Sequence, residues 1–185
     1  VIDTACRVIM SWQHCESKKH LVLSVNVSAK QVQQTEFVSA VKAAVKKHGI
    51  DPERLKLELT ESMLLSDIDE TIAKMKALRE IGVRFSLDDF GTGFSSLQYL
   101  KRLPLDQLKI DKSFVRDIAE DASDRTIIRT IIAMAHTLKL DVIAEGVETE
   151  MQRQLLIDYG CNHFQGYLFS KPQPIEQFDA QLQKN

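Results

Sequence analysis

The feature of this sequence that most constrains its fold is a repeated alternation of short apolar runs and amphipathic segments. Apolar, strand-like runs are predicted at 21–28, 55–60, 83–90, 107–111, 141–147 and 163–169. A helical pattern precedes the first run, and others predict helices at 29–49, 68–81, 95–102, 126–140, 149–159 and 174–183. Consecutive strand–helix units are typical of a parallel sheet with helices packed against it.

Two architectures fit this alternation, a doubly wound sheet and a (β/α)₈ TIM-type barrel. A barrel of this type takes roughly 250 residues, whereas the chain has 185, so the barrel interpretation requires strands before Val1. The sequence begins inside an uncapped helical pattern, with one apolar face formed by Ile2, Ala5, Cys6, Ile9 and Trp12. We therefore expect an α/β barrel that is incomplete at its N-terminus, a single domain over 1–185, and a longer parent protein.

Composition and charge argue against two classes of partner, duplex nucleic acid and the membrane. The chain is 44% hydrophobic and 27% charged with a net charge of −2, and its Lys and Arg residues are spread along predicted helices. This argues against a duplex nucleic-acid surface and against membrane contact by this segment. The cysteines Cys6, Cys15 and Cys161 form no CxxC pair, which indicates reduced thiols and a cytoplasmic location.

Polar side chains lie at or near the C-terminal end of every predicted strand. In a parallel sheet these ends share one face, where α/β proteins form their ligand sites. A single residue of this kind is usually a turn or a cap, and the adjacent Asp88 and Asp89 taken alone are typical of a turn. The recurrence at all the strands favours a site made of Asn26, Glu58, Glu61, Asp88, Asp89, Lys109, Asp111, Glu145, Glu148 and Gln165.

The residue types in this set indicate divalent-metal chemistry. Carboxylate and amide oxygens are hard ligands, and converging carboxylates repel each other unless a cation lies among them, which points to Mg²⁺ or Mn²⁺. Adjacent aspartates can serve two ions, an arrangement suited to phosphodiester cleavage. Lys109 adds a fixed positive charge that can orient a nucleophilic water or a phosphate oxygen. The alternative for Lys109 is a buried lysine paired with Asp111.

The segment FGTGFSS directly follows the paired aspartates. It has the GxG of a phosphate-binding loop but lacks the third glycine of GxGxxG, so Rossmann-type nucleotide binding is not favoured. Its small residues and glycines instead predict a lid over the site.

These motifs, taken together and in order, identify a family resemblance. SVNVSAKQ, LELTES, DDFGTGFSSLQYLKRLPLDQLKIDKSF, VIAEGVET and CNHFQGYLFSKP resemble the EAL domain, the cyclic di-GMP phosphodiesterase family of bacteria. The resemblance runs from the first helix to the C-terminus. It implies a (β/α)₈-type barrel that hydrolyses cyclic di-GMP to linear pGpG with Mg²⁺ or Mn²⁺, with two ions bound in the site.

The resemblance also implies roles for individual residues. Asn26, Glu58 and Asp88 resemble metal ligands, with Asp88 bridging and Asp89 on the second ion. Glu145 resembles a general base or second-metal ligand, and Lys109 a lysine that binds the catalytic water. Glu61 matches a glutamate that steadies the loop after DDFG. Gln165 matches a substrate-side glutamine, with Asp111 and Glu148 as supporting members of the cluster.

One part of the family pattern is absent from the chain. The motif that names the family would lie before Val1, with its metal-binding glutamate, a substrate-contacting arginine and the first strands. We therefore expect the 185-residue chain to have little or no activity by itself.

The intact later motifs favour an active parent enzyme. A non-catalytic module that binds cyclic di-GMP or a partner protein is the first alternative, and an unrelated Mg²⁺-dependent (β/α) hydrolase is the second. The resemblance further implies a homodimer through the region after DDFG and an upstream sensor or GGDEF domain.

Overall fold

The computed structural model describes residues 1–61, 63, 67–91 and 97–182. In this part of the chain, six parallel strands form one sheet in chain order, so each strand pairs with its neighbours in sequence. The sheet is curled into a half-barrel, and the predicted fold class, an incomplete TIM-type barrel, is confirmed. The strands are β1 (Leu23–Asn26), β2 (Leu55–Thr60), β3 (Arg84–Phe90), β4 (Gln107–Ile110), β5 (Asp141–Glu145) and β6 (His163–Gln165).

Helices connect these strands and cover the convex side of the sheet. They are α1 (Ile2–Gln13), α2 (Ala29–Val32), α3 (Phe37–His48), α4 (Ile68–Arg79), α5 (Leu97–Leu100), α6 (Lys112–Arg116), α7 (Ala122–Thr137), α8 (Glu150–Asp158) and α9 (Ile175–Leu182), with a 3₁₀ turn at Pro52–Arg54. No helix within the described ranges combines the length and apolar character needed to cross a bilayer.

The two faces of the sheet differ in chemistry. In β2, Leu55, Leu57 and Leu59 are at most 1% exposed and belong to the apolar core, while Lys56 and Glu58 alternate with them on the inner face. Burying one such leucine contributes roughly 1.5–3 kcal/mol to folding. A slip of one residue would turn the leucines inward and the charges outward, so the apolar core fixes which residues reach the inner face.

The predicted helix over 29–49 was wrong as a single element, because the structure divides it into α2 and α3. The apolar stripe of α3, formed by Phe37, Val41 and Val45, continues backward onto the exposed Gln33 and Gln34. Breaking the helix there lets Val32 turn into the core without burying either glutamine. The predicted end at Gly49 is confirmed, with φ of 60° at that glycine.

Two further boundaries differ from the prediction. The strand predicted at 163–169 ends at Gln165, because the chain turns at Gly166, where an added Cβ would lie 2.1 Å from the carbonyl oxygen of Val147. The short helix α6 was not predicted, and α7 begins at Ala122, where the carboxylate of Asp121 accepts hydrogen bonds from the first turn.

The predicted lid and the start of the helix expected at 95–102 fall at 92–96, and the predicted last residue of the final helix is residue 183. These positions lie outside the described residues.

Candidate active site

The inner-face residues at the C-terminal ends of neighbouring strands lie side by side. Asn26 is in register with Glu58, Thr60 with Asp88, and Glu145 with Gln165. Because the strands are parallel, these pairs place amide and carboxylate groups along one rim of the half-barrel. The rim carries predicted site residues from both ends of the sheet, β1 and β6.

Lys109 lies at the centre of the acidic residues. Its Nζ is 2.9 Å from Glu58 Oε2, 3.0 Å from Asp88 Oδ1 and 2.6 Å from Glu145 Oε1, and its side chain is 5% exposed. Burial acts to lower the pKa of Lys109, but hydrogen bonds to Glu145 and Glu58 outweigh burial and raise it above the ordinary value. The alternative that paired Lys109 with Asp111 is wrong, since its ion pairs within the described residues go to these three carboxylates.

A backbone irregularity brings Asp88 and Asp89 to the same side of the sheet. Consecutive strand residues normally point to opposite faces, but Asp89 has a φ of 54° and the β3–β4 register shifts between Leu87 and Phe90. The Asp89 N–H donates to Asp88 Oδ1 at 3.0 Å. Such a bulge re-aims a side chain at the cost of a strained backbone.

As a result, Asp88, Asp89 and Glu145 form a group that can hold a metal ion. One carboxylate oxygen from each residue lies within 4.8 Å of the others. Hard oxygen donors at this spacing fit Mg²⁺ or Mn²⁺. These oxygen donors are the observation that supports binding of a divalent cation, and the identity of the cation stays a prediction.

The pKa values of two of these groups reflect the crowding of negative charge. Burial raises the pKa of Asp89, and the charges of Asp88 and Asp111 raise it further. Burial also raises the pKa of Glu145, against the opposing effect of the Lys109 ammonium. A divalent cation at this position would favour the ionised form of every carboxylate around it.

Glu61 lies below the segment that follows the aspartates. It is 5% exposed, and its Oε2 accepts a hydrogen bond from the N–H of Gly91 at 3.1 Å. Gly91 has a φ of 101°, and a Cβ there would lie 2.8 Å from Phe114 Cε2. Glu61 therefore contacts the first residue after the aspartates, and its role in steadying the loop stays a prediction.

Asp111 stabilises the start of α6, apart from the substrate role predicted for it. It is the N-cap of α6, and its Oδ1 accepts from the N–H of Ser113 at 2.9 Å. Burial acts to raise the pKa of Asp111, but the hydrogen bonds from Ser113 lower it overall. Its predicted substrate role is untested.

The remaining predicted residues are more open to solvent. Asn26, Glu148 and Gln165 are all exposed. Gln165 lines a pocket of about 550 Å³ together with Leu23 and Tyr167. A larger groove of about 990 Å³ lies between α7 and α8, and none of its described lining residues is a predicted site residue. The carboxylate cluster, not the size of the cavity, marks the candidate site.

Sequence reasoning missed a second polar layer under the cluster. The Nζ of Lys56 donates to Gln107 Oε1 at 3.0 Å, and Ser86, in register with both Glu58 and Gln107, is fully buried between them. The signal was present in the alternation, because Lys56 and Gln107 each precede a site residue by two positions.

Comparison with known proteins identifies similar chains. The sequence matches the model of the EAL domain over residues 1–172. It is 42% identical over 185 residues to the bifunctional diguanylate cyclase/cyclic di-GMP phosphodiesterase MucR of Pseudomonas aeruginosa, covering 98% of this chain and 26% of the relative. It is 44% identical over 182 residues to the cyclic di-GMP phosphodiesterase NbdA of the same organism, covering 98% and 23%. The chain therefore spans about a quarter of the length of these relatives.

Solved structures give the same result. The PaMucR phosphodiesterase in complex with c-di-GMP matches with a TM-score of 0.90 at 42% identity, over 96% of this chain and 71% of that one. The EAL domain of Mycobacterium smegmatis DcpA matches with a TM-score of 0.92 at 39% identity, over 98% and 82%.

Proposed function

The chain belongs to the EAL domain family, and on that premise we propose that the protein carrying this domain hydrolyses one phosphodiester bond of cyclic di-GMP to linear pGpG. The observation that carries the proposal is the cluster at the C-terminal rim of the sheet, where Lys109 contacts Glu58, Asp88 and Glu145. Relatives named as cyclic di-GMP phosphodiesterases support the choice of substrate.

We assign the metal ligands of this reaction to the acidic rim. Asn26, Glu58 and Asp88 would hold one Mg²⁺ or Mn²⁺ ion, and Asp88, Asp89 and Glu145 a second, with Asp88 shared. Two such ions, when bound, supply Lewis-acid stabilisation of the attacking and leaving oxygens. The spacing of Asp88, Asp89 and Glu145 supports the second of these sites.

Lys109 and Glu145 act on the water and the phosphate. Lys109 is held in place by three carboxylates, so it supplies a fixed positive charge beside a water or a phosphate oxygen at the rim, and it can donate to either by giving up one of these contacts. Glu145, whose carboxylate contacts the Lys109 ammonium at 2.6 Å, would as general base take the proton of the water that Lys109 orients, which is the alternative to its role as a metal ligand.

The other predicted residues surround the substrate or support the loop. Gln165, Asp111 and Glu148 are assigned to the substrate side, and Glu61 to the segment that begins at Gly91, whose N–H it accepts. The protein would act in the bacterial cytoplasm, as a homodimer through the region after DDFG and beside a sensor or GGDEF domain. Part of that dimer region, 92–96, lies outside the described residues.

The test is conversion of cyclic di-GMP to pGpG, followed by chromatography, with the 185-residue chain and with the longest form of the protein that its gene encodes. We expect turnover of the longer form to require Mg²⁺ or Mn²⁺ and to be lost in Asp88→Ala. Binding of cyclic di-GMP without turnover in the longer form would reject the enzyme and favour the non-catalytic binding module.

A further inference from the structure

The short helix α6 contacts both chain segments that carry the acidic residues. On one side, Gly91 follows the paired aspartates, and a Cβ added there would lie 2.8 Å from Phe114 Cε2. On the other side, Gly146 follows Glu145, and a Cβ there would lie 2.6 Å from Lys112 Cβ. Both segments therefore pack so closely against α6 that a Cβ at either glycine would clash with the helix.

One side chain ties the second of these segments to α6 through hydrogen bonds. Gln152 is buried, at 7% exposure. Its Oε1 accepts from the backbone N–H groups of Glu148 at 2.8 Å and Thr149 at 3.0 Å. Its Nε2 donates to the carbonyl oxygen of Arg116, in the last turn of α6, at 3.1 Å. The amide thus joins the chain just after Glu145 to the end of α6.

The choice of glutamine at this position follows from that second bond. Thr149 and Gln152 form a capping box at the start of α8, a role that glutamate fills as well as glutamine. A carboxylate would keep both acceptor bonds to Glu148 and Thr149, but it cannot donate to the Arg116 carbonyl. Capping alone therefore does not require glutamine, whereas the link to α6 does.

A second capping box in the chain serves as the control, because the hydrogen bonds that its glutamine oxygen accepts stay within the box. Ser28 and Gln31 form the same capping box at the start of α2. The Gln31 Oε1 accepts from the N–H and the hydroxyl of Ser28, each at 3.0 Å. Replacing Gln31 with glutamate preserves both of these bonds, so it reproduces the substitution without breaking a contact between elements.

We infer that Gln152 is a positioning residue of the acidic site: by fixing the 145–149 segment on α6, it sets Glu145 relative to Asp88 and Asp89. This inference rests on the proposed function for its catalytic consequence. Phe114 and Gly91 carry the other half of the arrangement, since they fix the segment after the aspartates on the same helix. One five-residue helix therefore holds both sides of the proposed metal site in register.

The main test compares Gln152→Glu with Gln31→Glu at neutral pH. Mn²⁺ binding is measured by electron paramagnetic resonance of the free ion, at a temperature where circular dichroism shows every variant to be folded. Residues that orient metal ligands typically change metal affinity by about tenfold or more, so we expect Gln152→Glu to weaken Mn²⁺ binding about tenfold. Gln31→Glu should stay within about twofold of the wild type. Equal affinities of Gln152→Glu and wild type would overturn the inference.

A kinetic comparison separates positioning from simple loss of stability. In the form of the protein that turns over cyclic di-GMP, Gln152→Glu should lower kcat about tenfold with a smaller change in KM, because only Glu148 among the assigned substrate-side residues lies in the 145–149 segment. A fall in kcat that disappears when the assay temperature is lowered away from the unfolding transition would show a structural role only. If the wild type binds Mn²⁺ but hydrolyses nothing, the proposed function fails while the Mn²⁺ comparison still decides the inference.

A metal-free measurement covers the case in which Gln152→Glu folds poorly or the wild type binds no Mn²⁺. The more conservative Gln152→Met keeps the side-chain length but removes both kinds of bond. In a ¹⁵N–¹H spectrum, we expect Gln152→Met to shift the amide resonances of Glu145, Gly146 and also Gly91, which lies on the far side of α6. Shifts confined to the first turn of α8 would reduce Gln152 to a helix cap and reject the inference.

Discussion

Two lysines on the inner face of the half-barrel have opposite surroundings. Lys56 donates to the neutral amide of Gln107, and burial lowers its pKa. Lys109 is more deeply buried, yet its pKa is raised, since hydrogen bonds to Glu145 and Glu58 outweigh burial. The two lysines, one from β2 and one from β4, therefore differ in the groups they contact. Lys109 lies at the C-terminal rim among carboxylates, so negative charge is concentrated at that end of the inner face.

Replacing each lysine with methionine should give the largest difference in unfolding free energy between the two positions. Lys109→Met leaves the buried Glu58 and Asp88 and the partly buried Glu145 without their counter-charge. Removing one partner of a buried ion pair costs about 3–5 kcal/mol of unfolding free energy. Lys56→Met loses one hydrogen bond but also removes a desolvated charge, so its change should stay below about 1 kcal/mol. Urea unfolding in the presence of a chelator measures both.

The same experiment can reject the interpretation of the cluster. Equal losses in Lys109→Met and Lys56→Met would mean that the carboxylates do not depend on the Lys109 ammonium. Addition of Mn²⁺ should reduce the difference in stability between wild type and Lys109→Met more than that between wild type and Lys56→Met, because a cation among the carboxylates replaces the missing charge.

A second prediction compares two acidic residues on one face of β5. Glu145 lies at the C-terminal rim, and Asp141 lies at the opposite end of the strand, exposed and in register with Gln107. Glu145→Gln should lower turnover of cyclic di-GMP by more than about a hundredfold, as expected for a general base. Asp141→Asn should stay within about twofold. A comparable loss of turnover in both variants would show that activity does not depend on having the carboxylate at the C-terminal rim.

The fold and the position of the candidate residues along one rim were largely predictable because both follow from strand alternation. Leu55, Leu57 and Leu59 must face the helices, so Glu58 must face inward, and the same reasoning places Lys109 and Glu145. These assignments depend only on local periodicity and on the parallel direction of the strands. Neither requires knowledge of a long-range contact.

What the sequence did not predict depends on local backbone geometry or on tertiary contacts. Both Asp88 and Asp89 were predicted to belong to the site, but alternation alone places them on opposite faces, and the positive φ of Asp89 that brings them together was not predicted. The helix α6 is too short to show an apolar period, and its one local signal is the capping residue Asp111. The bond from Gln152 to the Arg116 carbonyl joins residues 36 positions apart, which no local pattern encodes.

A third prediction concerns metal binding itself. Mg²⁺ or Mn²⁺ at one hundred times its dissociation constant should stabilise the folded chain by about 2.7 kcal/mol, because only the folded form assembles the ligands. Asp89→Asn should remove most of this gain. Asp69→Asn is the matched control, since Asp69 is an exposed carboxylate of α4 that pairs with Arg102. Thermal unfolding with and without the ion decides the matter, and a gain that survives in Asp89→Asn contradicts the assignment.

The smallest expected effect on stability comes from the ion pairs of Asp3 on the protein surface. Their distances resemble those at the rim, but Asp3 is exposed to solvent. Asp3 Oδ1 lies 2.8 Å from Lys47 Nζ and 3.0 Å from His48 Nε2, much as Glu58 lies 2.9 Å from Lys109 Nζ. Hydrogen bonds from Lys47 and His48 lower the pKa of Asp3 to about 2, from an ordinary value of 3.8. The folded pKa is therefore depressed, so the stabilisation is present above pH 3.8 and is lost as the pH falls through about 2.

Asp3→Asn should remove only the stabilisation that is present above pH 3.8 and is lost in acid. The difference in melting temperature between wild type and Asp3→Asn should be small at pH 6 and should shrink further towards pH 2, because an exposed pair is screened by water and salt. Scanning calorimetry at several pH values measures this difference. If Asp3→Asn lowered stability as much as Lys109→Met, distance rather than burial would set the strength of these ion pairs, and the contrast between the rim and the protein surface would fail.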